Sequence, residues 1–446
     1  MKHFGIFLFV LFSYSSFLGQ DLPRKGSFGC HMKDADDGNG IAVVRVIENS
    51  TAFQMGLKEN DVIHSLNDNS LKNVGHFVAE IGNWKAGEKI ELGIHRNSED
   101  LELKGEVIGK PFETSAQADV LYGHVDYQGN RLRSILEIPK QAVNPPVVYF
   151  LPGIGCASID YYYDHNAPIK KLVEEFVAKG LAVFRIEKPG MGDSDGPLKC
   201  TEMDFNQEVE ALKAGLQELQ KNKNIDRENI FLYGHSLGTV SAPLVAKDQG
   251  IKGIIAWGGI SSSWYEYSLR ILKDQKILKE MDYVQIEKEY REIQPFYHAF
   301  YEDQKSPQEL MEDERFRDLT GNYFDGDLWF GMHHYRYFHT LNKVDMFTAY
   351  KEANCSVLTL AGDCDLHAID TKWASDIVQS ILYYDLYDAD LKVFENTTHH
   401  YHTVPSMQEY IRMRKEGTLN NEYMAANFNE EVPISASNWI WEKVKK

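Results

Sequence analysis

No stretch of this chain gathers basic residues. Lys and Arg number 47 against 66 Asp and Glu, a formal net charge of −19, and the acidic residues are spread along the sequence. Binding nucleic acid takes a concentrated positive surface facing the phosphates, so that class of function is excluded. Dispersed negative charge serves solubility. Past the first dozen residues no apolar run approaches the roughly 20 residues that cross a bilayer, which excludes transmembrane helices there. Internal repeats and low-complexity tracts are also lacking. Cysteine is scarce. Cys30, Cys156, Cys200, Cys355 and Cys364 make an odd count, which leaves at least one thiol free or joined to another molecule.

What is present is ordinary for a folded protein. The 446 residues are 43% hydrophobic and 25% charged, with length for two or three domains. Met1-Lys2-His3 is a short basic start, Phe4 to Phe12 is almost unbroken apolar sequence, and Ser13 to Gly19 is small and polar with aromatics between. This three-part layout is read as a signal peptide over residues 1–19. It predicts an exported protein, periplasmic or secreted, without stable membrane insertion. Cutting after Gly19 puts Phe17 where a small residue is usual, and a retained anchor is the alternative. No cysteine lies near the cut, which argues against a lipoprotein. Export brings the cysteines into an oxidising compartment, where pairing is possible.

Two regions then separate by pattern. The first, residues 25–108, is rich in short alternating strands. Gly40 to Val46 reads as a strand, Ala52 to Leu57 as a short helix stopped by Gly56, and Lys58 to Ile63 as a strand again. Asn67-Asp68-Asn69 is a turn, Val74 to Trp84 has helical spacing, and Lys89 to Arg96 with Leu101 to Val107 form a closing hairpin. The run GIAVVRVIENSTAFQMGLKENDVIHSLNDNSL, followed by AGEKIELGIHR, resembles a PDZ domain of the bacterial protease-associated type. The resemblance implies binding of an extended peptide beside a strand, its C-terminal carboxylate held by the backbone of a glycine-containing loop. By position that loop is Gly26-Ser27-Phe28-Gly29. The alternative is a unit that only packs on its neighbour.

Ile108 to Ser115 reads as a linker. The second region, residues 114–446, alternates strands and helices, the signature of an α/β sheet. Val147 to Leu151, Leu181 to Ile186, Asn229 to Tyr233, Ile251 to Trp257 and Ser356 to Leu360 read as strands. Ala167 to Lys179 and Asp204 to Lys221 read as helices. Between about residues 261 and 346 the alternation stops. That charged, aromatic stretch of helical period reads as an inserted cap. Its run from Tyr323 to Tyr335 either walls a pocket or packs as a core helix. His333, His334 and His339 within it read as surface or packing residues.

Gly234-His235-Ser236-Leu237-Gly238 is a G-x-S-x-G pentapeptide. A buried strand enters it and a helical segment, Thr239 to Lys247, leaves it, the setting of a nucleophile elbow. A serine hydroxyl is a weak nucleophile and needs a base held by an oriented acid. The acid belongs after a later strand, where Asp363 and Asp365 are both candidates. The base belongs after the last strand, Leu391 to Phe394, where His399 and His400 stand. His402 is expected at the surface or pocket rim. A metal held by His399, His400 and His402 is conceivable, but adjacent histidines point apart and no carboxylate sits at ligand spacing. No metal and no cofactor are expected.

With the glycine-rich turn Lys188 to Gly196, these signatures resemble the α/β-hydrolase superfamily over about Thr114 to the end. In detail the chain is similar to bacterial exported proteins that join a PDZ domain to an α/β-hydrolase. The implied fold class is α/β: a doubly wound hydrolase sheet with a helical cap, preceded by a small mainly-β PDZ domain. The family's Gly-x-x-Asp spacing selects Asp365, and its loop length selects His399. Oxyanion donors fall to the amides of Leu237 and Ile154, the latter in the loop Leu151-Pro152-Gly153-Ile154-Gly155. The resemblance also implies a Cys156–Cys200 disulfide bracing that loop. The implied function is hydrolysis of carboxylic esters or thioesters through an acyl-serine. Its rivals are a serine peptidase or amidase on short peptides and, in another class, a PDZ-based adaptor with a silent hydrolase domain. The partners implied are a small ester or peptide substrate and a peptide C-terminus at the PDZ groove.

Overall fold

In the strand Lys89–Arg96, Ile90, Leu92 and Ile94 are buried and the residues between them are not. That period of two builds a sheet with one face on a core. The strand returns through Asn97 and Ser98, both at left-handed φ (51° and 68°), into Glu99–Glu106, the two-residue turn that matches strand twist. The order across this sheet is Cys30–Asp34, Ile41–Val46, Val62–Leu66, Lys89–Arg96, Glu99–Glu106, so Cys30–Asp34 is an edge. The helix Val74–Ile81, capped by the Asn73 side chain, packs near that edge strand. Phe28, Phe77 and Trp84 meet edge to face in the core beneath. This computed structural model describes residues 22–445 apart from 36, 37, 39 and 83. The signal-peptide reading of 1–19 lies outside the described residues.

The segment expected as a linker begins otherwise. Ile108–Gly109 pairs antiparallel with Gly26–Ser27, so the chain enters and leaves the N-terminal unit side by side.

The second unit is built on eight strands. Across the sheet they run Ala389–Phe394, Ser356–Gly362, Gly253–Trp257, Ile230–His235, Val147–Leu151, Ala182–Ile186, Asn130–Pro139, Ala118–Tyr127. The first six are mutually parallel and the last two form an antiparallel hairpin. The central strands are buried on both faces, as parallel strands covered by helices must be. Helices Phe205–Leu219 and Gly238–Ala246 cover one face, and Pro168–Ala178 with Glu431–Val444 the other. This is the α/β class expected from the sequence.

The insertion carries helices Trp264–Leu278, Tyr283–Tyr297, Pro307–Glu312, Arg317–Tyr323 and Tyr335–Asn342. Its aromatic run is not a helix. Phe324–Asp325, Leu328–Trp329 and His333–His334 form a small antiparallel sheet. Gly326 and Gly331, at φ 59° and 68°, turn the chain where a helix would need right-handed backbone. Trp329 stacks on Phe300 with centroids 4.7 Å apart, so Trp329 anchors the run in the core while Phe330 and Met332 stay exposed.

Candidate active site

The buried strand Ile230–His235 delivers Ser236 at the sheet's C-terminal edge, and the helix Gly238–Ala246 begins two residues later. Ser236 has φ 56°, a left-handed conformation that costs a non-glycine residue free energy and recurs at functional sites. The flanking glycines are required by space. A Cβ on Gly234 would lie 2.4 Å from the Gly238 carbonyl oxygen, and one on Gly238 would lie 2.2 Å from that of Leu151. The turn is pinned by the Ser236 amide donating to the Trp257 carbonyl at 2.9 Å and the Thr239 hydroxyl donating to the Ser236 carbonyl at 2.7 Å.

Asp365 and His399 come together from two loops. His399 Nδ1 lies 2.6 Å from Asp365 Oδ2, with both residues buried. Asp365 Oδ1 accepts from the His367 and Ala368 amides at 2.7 and 2.9 Å. Burial raises the Asp365 carboxyl, but the adjacent imidazole and the two amides outweigh it and hold the group below the usual carboxylate range. The His399 carbonyl is itself fixed, accepting from Trp257 Nε1 at 2.9 Å. With Nδ1 turned to the carboxylate, Nε2 is the ring nitrogen left for Ser236, and both residues line one cavity. Of the alternatives, Asp363 and His400 are exposed. His402 is not a rim residue as expected. It is 3% exposed, and burial first, then Lys171, lowers its imidazole to about 4.

Leu237 and Ile154 line the same cavity. A Cβ on Gly153 would sit 3.1 Å from that of Ser236, so the Gly153–Ile154 peptide lies against the serine. Two residues on, Cys156 is disulfide-bonded to Cys200, while Cys30, Cys355 and Cys364 are free thiols. The cavity holds about 60 Å³ and is otherwise lined by Val240, Gly258, Ile260, Trp264, Tyr267, His367 and Ala368. Trp264 and Tyr267 are the insertion's contribution. Among the described residues none of 323–335 lines it, so the aromatic run is not a pocket wall.

Sequence reasoning missed three nearby residues. Gly258, at φ 61°, has no room for a side chain, since a Cβ would fall 2.9 Å from His399 Nδ1 and 3.2 Å from Asp365 Oδ2. His367 lines the cavity, and burial, then His399, lowers its imidazole to about 4. Lys188 reaches the Gly153 carbonyl. Only Gly258 carried a signal, the Gly258-Gly259 pair ending a strand.

The N-terminal loop is less open than its sequence implies. Gly26 and Ser27 are strand-paired. The Phe28 ring is buried against Phe77, and its carbonyl accepts from the Ala52 amide. Gly29, at φ 71°, leads into the edge strand Cys30–Asp34.

A PDZ-domain family model matches residues 26–107, and a model described as serine aminopeptidase, S33, matches residues 161–301. Among curated proteins, a probable periplasmic serine endoprotease DegP-like of Buchnera aphidicola subsp. Schizaphis graminum is 37% identical over 67 residues, 15% of this chain and 14% of that protein. A probable serine protease do-like of Buchnera aphidicola subsp. Acyrthosiphon pisum is 42% identical over 57 residues, 13% of this chain and 12% of that one. The chain therefore spans about one seventh or less of the length of these relatives. Among solved structures, Est1E from Butyrivibrio proteoclasticus is 16% identical with a TM-score of 0.43, covering 74% of this chain and 100% of its own. A putative dipeptidyl aminopeptidase IV from Bacteroides ovatus is 13% identical with a TM-score of 0.40, covering 76% and 40% respectively.

Proposed function

We propose that the chain is a serine hydrolase of the α/β-hydrolase fold joined to an N-terminal PDZ domain, and that it hydrolyses carboxylic esters and thioesters of small acyl groups through an acyl-enzyme on Ser236. The observation that carries this reading is the 2.6 Å contact between His399 Nδ1 and Asp365 Oδ2, beside a cavity shared with Ser236. In the proposed reaction Ser236 Oγ attacks the carbonyl carbon as His399 Nε2 takes its proton, and the imidazolium then protonates the leaving oxygen or sulfur. Water repeats the sequence on the acyl-serine. Asp365 holds the imidazole and stabilises its protonated form. The amides of Leu237 and Ile154 receive the oxyanion, each such donor typically contributing about 3–4 kcal/mol.

The acyl size follows from the cavity. At roughly 10–15 Å³ per water-sized group, about 60 Å³ takes a short acyl chain. Amidase or peptidase action on short peptides is the second reading, favoured by the description of the family model matched over residues 161–301. The Cys156–Cys200 disulfide supports export to an oxidising compartment. The edge strand Cys30–Asp34, entered through Phe28 and Gly29, is where the PDZ domain would take a peptide C-terminus.

A panel of acetyl to octanoyl esters, their thioesters and aminoacyl amides tests this, with Ser236→Ala beside the wild type. Short esters are expected to lead, with turnover in the variant reduced by at least about 10³-fold. Faster amide than ester hydrolysis selects the peptidase reading. Turnover retained in Ser236→Ala contradicts both.

A further inference from the structure

Lys188 is buried, 6% exposed, at the start of the glycine-rich turn. Its Nζ donates to the Gly153 carbonyl oxygen at 3.1 Å and lies 2.9 Å from Glu208 Oε1. Glu208 is itself buried, and its Oε2 accepts from the Tyr337 hydroxyl of the inserted cap at 2.7 Å. Placing an ammonium in a protein interior carries a large desolvation penalty, and pairing it with a buried carboxylate does little more than offset that. Stability therefore does not explain why a lysine stands here.

The Gly153 carbonyl does. A peptide group is planar, so the C=O of residue 153 and the N–H of residue 154 are opposite ends of one rigid unit. Holding the oxygen fixes where the N–H points. A cation at the oxygen also draws electron density toward it, which makes the N–H a stronger donor. The next peptides are constrained as well, since Cys156 is tied to Cys200. We propose that Lys188, seated by Glu208 and Tyr337, is a positioning residue that aims and polarises the Gly153–Ile154 peptide as an oxyanion donor. The inference rests on the reading of Ile154 in the proposed acyl transfer. It gives the cap a link to catalysis separate from Trp264 and Tyr267 at the cavity, because Tyr337 holds the group that holds Lys188.

The test compares Lys188→Met, Lys188→Arg and the double variant Lys188→Met/Glu208→Gln, which leaves no carboxylate stranded if the single change fails to fold. Each is assayed on a short ester and titrated with a trifluoromethyl ketone, whose serine adduct carries the oxyanion. The folded methionine variants are expected to lose roughly 10–100-fold in kcat with KM within about threefold. Ketone affinity should fall in parallel, and arginine should restore part of both. A folded methionine variant that keeps kcat and ketone affinity within twofold of wild type overturns the role of Lys188 alone. Ester turnover retained in Ser236→Ala, run beside these variants, overturns the underlying acyl-transfer reading as well.

Discussion

Ser236, Asp365 and His399 were legible as candidates because each lies in the segment that follows a parallel strand at the sheet's C-terminal edge. The choices of Asp365 over Asp363 and His399 over His400 rested on spacing, and the 2.6 Å contact joins the two chosen. The roles of Gly258 and Lys188 were not legible, because their importance lies in what approaches them from elsewhere in the chain, and the Gly258-Gly259 pair marked only a strand end. Gly258 leaves a gap that the Asp365–His399 pair occupies. We predict that Gly258→Ala displaces that pair, lowering kcat by on the order of 10²-fold while small-ester KM changes little. Steady-state kinetics check this, and a variant with wild-type kcat would show that the gap is not needed. His402 was misjudged for the converse reason. A histidine among polar residues carries no mark of burial, and here the strand-like pairing of His402 with Phe428 seats it inside.

Among elements, the strands with continuous apolar sequence were legible and the hairpin Ala118–Pro139 was not. Asn130–Pro139 is nearly all buried, yet it includes Arg133 and Glu137. Arg133 pairs with Asp193, and Glu137 with Arg185 and Lys170. Charges satisfied by distant partners look like surface when read in sequence. The loop from 152 to 160 is governed by another such group. Glu187 is fully buried and accepts from the Ser158 hydroxyl and from the Ile159 amide at 3.1 Å. Burial pushes its carboxyl from 4.5 up to about 7, more than those hydrogen bonds pull it back. The folded state therefore holds a proton that the unfolded state releases. Stability should fall as pH rises from about 4.5 to 7, by on the order of 3 kcal/mol from this group. Glu187→Gln should remove that component. Urea titrations of both proteins at pH 5 and pH 7.5 measure it, and equal pH dependence in the two would contradict the assignment.

At the scale of the whole molecule, the division into a β-rich unit and an α/β unit followed from the change in hydrophobic period. How the two are joined did not. Arg24, just before the first paired strand, is buried against Asp160 at 2.6 Å and also pairs with Asp193, while the Lys25 amide donates to Asp193 at 2.9 Å. Arg133 bonds the Leu22 carbonyl. The entry to the N-terminal unit is thus anchored in the glycine-rich turn of the α/β unit, through side chains more than 100 residues apart in sequence. The central claim for the molecule is that this scaffold presents one activated serine. Fluorophosphonate labelling of the purified chain, followed by peptide mapping of the adduct, tests that claim directly. The account predicts a single adduct on Ser236, lost in Ser236→Ala and strongly slowed in His399→Ala. A wild-type protein that takes no label, or an adduct on another residue, would contradict it.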